Sequence, residues 1–164
     1  MAETLGSLCD KLTIVRLKQW HSTDRDKLES LAHQLGNLET EIDAFVAQAA
    51  ARKIPLSQLK FDANKVYRKA DHALADFAGS LGCMVSQLAE VNCALWHQQE
   101  KIYDFARVPA AAKNSTVKRL AALNLERNQF IERIDELFRE KIIAMHSKPV
   151  RRAAARRAQT PGVK

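Results

Sequence analysis

Apolar residues recur along the chain at steps of three and four, the period of helices that bury one face. In the first segment Leu5, Leu8, Leu12 and Val15 form one row, while Ile14, Leu17 and Trp20 fill the remaining arc. A helix that is apolar on most of its circumference belongs in the middle of a bundle. His21-Ser22-Thr23-Asp24 then offers capping side chains, with Asp26 in a first turn, so the pattern leaves a kink or break near Ser22 and a continuous helix equally open. Beyond it Leu28, Leu31, Leu35, Leu38, Ile42, Phe45 and Ala49 make a one-sided seam. Ile54-Pro55 and the polar run to Asn64 predict a connection, because the residue before a proline is pushed out of the helical region.

The third seam is the longest: Tyr67, Ala70, Leu74, Phe77, Leu81, Met84, Leu88, Val91, Leu95, Gln98 and Ile102 predict one rod of about 50 Å. Gly79 and Gly82 are expected to bend it or admit a close helix contact without stopping it. Val108-Pro109 ends this rod, and Asn114 or Ser115 is placed to cap a last helix whose apolar side holds Leu120, Leu123, Phe130, Ile134, Leu137, Phe138 and Ile142. The pattern therefore predicts an all-α fold, an antiparallel bundle of three long helices, or four if the first breaks near Ser22. Residues 1–147 form the bundle domain and residues 148–164 a flexible basic tail. Placing Gly6 on Gly82 also brings Val15 onto Val91, Trp20 onto Trp96 and His21 onto His97, a faint repeat that either a duplication or two similar Leu-rich helices would produce.

Composition changes the picture in two places. The formal charge of +7 invites a nucleic-acid reading, but Lys148, Arg151, Arg152, Arg156, Arg157 and Lys164 account for all but one unit of it. The charge belongs to the tail and not to a face of the domain. Arg151, Arg152, Arg156 and Arg157 form an anion-binding candidate, yet no aromatic residue is interleaved among them, so any nucleic-acid contact would be non-specific. Cys9, Cys83 and Cys93 lack paired spacing and read as free thiols of a reducing, cytoplasmic setting. No secretory signal pattern and no apolar run of transmembrane length is visible.

Arg127 is the most informative polar residue. It falls among Leu120, Leu123, Ile134 and Phe138 on the last helix, where a guanidinium needs an acid or a bound anion, and Glu100 or Asp10 are the expected partners. Asn124, Asn128 and Asp135 lie along one edge of the same arc. Asn92, Trp96 and Glu100 stack at steps of four in the long helix, and Asp10 and His21 share a stripe of the first, flanked by Lys11 and Lys18. If these faces meet, His21 or Glu100 supplies a base, Lys18 and Arg127 supply cations, and Asn92 and Asn128 supply amide donors. That set suits an anionic or sugar-like ligand or acid-base work, and equally a structural network that fixes helix register. No histidine follows a glutamate by three residues and no converging set of metal ligands is visible, so neither metal nor cofactor is expected.

Three stretches, LCDKLTIVRLKQWH, LAEVNCALWHQQEKIYDF and LNLERNQFIERIDELF, resemble the blocks of a bacterial all-helical family catalogued as domain of unknown function 4254. The resemblance runs over roughly residues 5–142 and rests on Asp10-Lys11, Asn92 with Leu95-Trp96, and Asn124 with Arg127-Asn128 and Ile134-Asp135. The Arg-rich tail is not part of the pattern, and Lys101-Ile102-Tyr103 departs from an expected acid-isoleucine-arginine sequence. What the resemblance implies is an accessory role in cell-envelope polysaccharide synthesis, with no activity attached. Three functions follow in order. The first is a helical accessory or interaction protein, its partner another protein or a second copy of the chain. The second is a small enzyme or ligand-binding protein built on the Arg127 cluster. The third is a nucleic-acid binder acting through the tail.

Overall fold

The computed structural model of the chain describes residues 3–61 and 79–147. Within them lie four long helices and no strand: α1 (Leu5–His21), α2 (Arg25–Ala50), α3 (Leu81–Tyr103) and α4 (Ala110–Ser147). Single 3-10 turns at Leu56–Gln58 and Phe105–Arg107 punctuate the connections. The basic tail, and the part of the third seam from Tyr67 to Phe77, lie outside the described residues.

The first apolar segment does break. Asp24 extends into β conformation and its Oδ1 accepts from the backbone N–H groups of Asp26 and Lys27, satisfying two donors that a helix start leaves open. The fourth helix of the expected pair of alternatives is therefore real. At the other end of α1, Thr4 and Ser7 cap each other reciprocally, the side chain of each bonding the other's backbone N–H.

Two boundaries differ from the sequence pattern. The long rod is not continuous, since α3 begins at Leu81 with Ser80 Oγ accepting from Cys83 N–H. Gly79 at φ +158° precedes that cap, a conformation open to glycine, so the Gly-Ser pair starts a helix where a bend was expected. The resulting α3 has 23 residues, about 35 Å, and α4 with 38 residues is the longer element. In addition, α4 starts at Ala110, ahead of Asn114 and Ser115. Pro109 has the φ of a first turn and three alanines of high helix propensity follow it, so no side-chain cap is required.

The helices run up, down, up and down. α1 contacts α2, α3 and α4, the central place its apolar circumference predicts, and α3 packs along α4. Met84 and Leu88 of α3 and Ile134 of α4 are fully buried, each contributing about 2 kcal/mol by removal from water. Leu59, from the connection that reads as polar, is also fully buried. Gln98, the polar interruption of the seam, donates to the Thr116 carbonyl oxygen across the α3–α4 contact at 3.2 Å. Trp20 departs from its expected place, being 86% exposed at the last turn of α1. Val15 and Val91, equivalent in the faint repeat, are both buried, and His21 meets His97 edge to face at 5.7 Å.

Candidate functional site

Asp10 is buried in the middle of α1, where α1 crosses α3 and α4. Arg127 reaches it from α4: Nε donates to Oδ1 at 2.7 Å and Nη2 donates to Oδ2. The Asp10 partner raises the Arg127 pKa above its ordinary value, the hydrogen bond outweighing burial. Of the two acids expected for this role it is Asp10 that takes it, while Glu100 bonds Trp96 and His97. Asn92 of α3 completes the junction, its Nδ2 donating to Asp10 Oδ1 at 2.9 Å and to Thr13 Oγ1 at 2.7 Å. Thr13 was not among the sequence candidates. It turns its hydroxyl proton to the Asp10 carbonyl, which frees the oxygen lone pairs for Asn92.

This junction floors a cleft of about 560 Å³ between α1, α3 and α4. Ile14, Leu17 and Leu95 make an apolar wall, and Trp96 and Tyr103 bring aromatic surface to it. Lys18, Asn92, Gln99, Glu100, Asn124 and Arg127 bring polar groups. Among the described residues Arg127 Nη1 and the Asn92 side-chain carbonyl have no hydrogen-bond partner, and both residues line the cleft. Asn124 Nδ2 is held by the Leu120 carbonyl oxygen, leaving its own oxygen as an acceptor. Glu100 accepts from Trp96 Nε1 at 3.0 Å and lies 3.2 Å from His97 Nδ1, and these two hydrogen bonds hold its carboxyl below the ordinary range. His21 stacks on Trp96 at 4.8 Å and faces a neighbouring cleft.

The structure thus gathers Asp10, Lys18, His21, Asn92, Trp96, Glu100, Asn124 and Arg127 around one region, and leaves three candidates outside it. Lys11 pairs with Glu3 at 2.7 Å on the surface. Asn128 is half-buried and does not line the cleft. Asp135 lies two turns further along α4, under the N-terminus of α1, where its Oδ1 accepts from Gly6 N–H at 2.7 Å. Gln99 and Tyr103 were missed because the α3 candidates were drawn at strict steps of four from Asn92 through Trp96 to Glu100, whereas these two continue the row from Trp96 by steps of three and four. Cys9 is a buried thiol pushed up to about 11 by burial, with Asp135 and Asp10 nearby, and is inert as a nucleophile. Among the described residues no three His, Cys, Asp or Glu side chains converge as metal ligands, and no helix is long and apolar enough to cross a membrane.

Burial pushes the Asp135 carboxyl up to about 6, against the Gly6 and Thr4 hydrogen bonds that lower it. Between about pH 4 and 6 the folded chain then binds more protons than the unfolded one, so stability falls as pH rises through that window and is level above it. Asp135→Asn keeps an acceptor for Gly6 and removes the charge. It is expected to stabilise the protein by roughly 3 kcal/mol at pH 8. Paired urea titrations should show this gain shrinking steadily towards pH 4, and a pH-independent difference would contradict the buried, ionising carboxyl.

A family model described as a protein of unknown function (DUF4254) matches residues 83–164, half of the chain. The match takes in α3 from Cys83, all of α4 and the Arg-rich tail, so the tail lies inside the matched span, which the block pattern had left out. The α1 block lies outside it. No curated protein and no solved structure matches the chain.

Proposed function

We propose that this chain, which belongs to the DUF4254 family, is a helical binding protein that takes a sugar-like ligand in the cleft between α1, α3 and α4. The observation that carries this reading is the pairing of unused polar groups, Arg127 Nη1 and the Asn92 carbonyl, with the Trp96 and Tyr103 surface in one cleft of about 560 Å³. Ligand sites of this size are mostly apolar, with a few fixed polar groups that set orientation. A sugar ring offers C–H faces to an aromatic side chain and hydroxyls to amides and carboxylates, which is the chemistry these residues present. In the setting that the family resemblance implies, the chain acts in the cytoplasm as an accessory protein beside envelope-glycan synthesis. The three cysteines, all free, support a reducing compartment.

A second reading, an interaction protein, draws support from Trp20, whose indole is 86% exposed and lies outside the cleft lining. The first reading is tested through the two tryptophans. Trp20→Phe leaves Trp96 as the single indole, so its emission reports the cleft. Titration with glucose, galactose, mannose and N-acetylglucosamine should give a saturable change with at least one of them, weakened about tenfold by Asn124→Leu through the lost hydrogen bond. No saturable change with any of the four overturns the reading.

A further inference from the structure

A second cleft of about 360 Å³ opens beside the first, between the end of α1, the start of α2 and Trp96. The two share Lys18 and Trp96, so one ligand of two parts can span both. Their linings differ in kind. The first cleft carries amides, aromatic surface and Glu100. The second carries Lys18, Lys27, Ser22, Ser30 and Gln34, with His21 at its edge and no acid in its lining. Two acids stand close to this lining: Asp24, whose Oδ2 is 3.6 Å from Lys27 Nζ and whose Oδ1 is occupied by the first N–H groups of α2, and Glu100, which accepts from Trp96 Nε1 on the side of the first cleft.

We infer that the second cleft holds a phosphate group, so that the ligand class is a phosphorylated sugar, with its ring against Trp96 and its phosphate between Lys18 and Lys27. The inference rests on the sugar-binding reading of the first cleft. Both serines are already acceptors within the protein, Ser22 Oγ from Asp24 N–H at 3.3 Å and Ser30 Oγ from Gln34 Nε2 at 3.4 Å. Each hydroxyl proton is therefore left to donate outward. Two ammonium groups as point charges and two hydroxyl donors match the several oxygens of a phosphate, whereas a carboxylate is matched best by the planar fork of an arginine. The one arginine in the two linings, Arg127, belongs to the first cleft and is committed to Asp10 through Nε and Nη2.

The experiment uses the full chain and four probes: inorganic phosphate, glucose 1-phosphate, glucuronate and the neutral sugar that performs best in the Trp96 titration. Amide NMR shifts of Ser22, Lys27 and Ser30 should move with inorganic phosphate alone, and Lys18→Gln and Lys27→Gln, both on exposed side chains, should each weaken that response about tenfold. Glucose 1-phosphate should bind at least about tenfold tighter than either the neutral sugar or glucuronate, with the advantage falling as salt rises. If the neutral sugar binds and phosphate leaves these amides unmoved, the inference fails while the sugar-binding reading stands. Glucuronate binding as tightly as the phosphate ester, or phosphate binding unchanged in both lysine variants, also overturns it. If no sugar and no phosphate binds, both fall together.

Discussion

Arg127→Met should cost the protein about 3–5 kcal/mol, read by urea unfolding at neutral pH. The expectation follows from what the substitution leaves behind. Asp10 is 5% exposed, and without the guanidinium its carboxylate keeps one described donor, Asn92 Nδ2. An ionised group in that position has lost most of its hydration and its counter-charge together. The companion variant Asp10→Leu/Arg127→Met removes both charges and should recover most of the loss, coming within about 1 kcal/mol of the native chain, because an apolar replacement of a buried pair has no charge to desolvate. A single-variant loss below about 1 kcal/mol would mean that water reaches Asp10 through the cleft. The double variant is also the better functional probe. It is expected to fold, retains Trp96, and lacks the guanidinium of a cleft-lining residue, so a weakened sugar response there separates a ligand contact from a purely structural pair.

The apolar spacing located every helix in the described residues, since a bundle core repeats the same step of three and four over many turns and each buried leucine repeats the message of the last. Helix ends were less legible. The break before α2 was one of two readings left open, because His21-Ser22-Thr23-Asp24 offers several capping side chains and the apolar period alone does not choose among them. The start of α3 was misread because the apolar row continues on both sides of Gly79-Ser80, and one cap hydrogen bond leaves no periodic trace. The start of α4 was misplaced for the opposite reason: Asn114 and Ser115 are good caps by type, yet Pro109 and the alanines begin the helix earlier, and Ser115 Oγ donates back to the Ala112 carbonyl from inside it.

The polar junction was legible as a demand and not as a geometry. Arg127 inside an apolar arc required an acid, and two acids were available. Choosing between Asp10 and Glu100 depends on how far the parallel helices α1 and α3 are staggered, which no local pattern encodes. Asp135 shows the same limit from the other side. It lies two helical turns from Arg127 and about 80° round the helix, and it serves a different contact because the N-terminus of α1 ends above it. Gly6 is what allows that approach, and its role is invisible in a sequence where glycine at the start of a helix is unremarkable.

Gly6→Ala should therefore behave opposite to helix propensity. In an exposed helix the substitution stabilises by about 0.5–1 kcal/mol, through the smaller backbone entropy lost on folding. Gly36 of α2 provides that case, with no heavy atom within 4 Å of where a Cβ would lie. Gly36→Ala is expected to raise Tm by about 2–4 °C. At Gly6 a Cβ would instead fall against the Ile131 carbonyl oxygen and 3.0 Å from Asp135 Oδ1. The first of these is backbone of a long helix and cannot swing aside, so α1 must move away from α4. That movement stretches the Gly6–Asp135 hydrogen bond and loosens the packing of Leu5 and Cys9, both buried in the main core. A loss of about 3 kcal/mol follows, or a fall in Tm of roughly 10 °C. Because the displaced contact is the one that holds Asp135 under α1, the weakening of stability between about pH 4 and 6 should also flatten in Gly6→Ala, as water reaches the carboxyl and its pKa returns towards the ordinary range. A variant as stable as Gly36→Ala, with the native pH dependence intact, would show that α1 and α4 do not meet at Gly6.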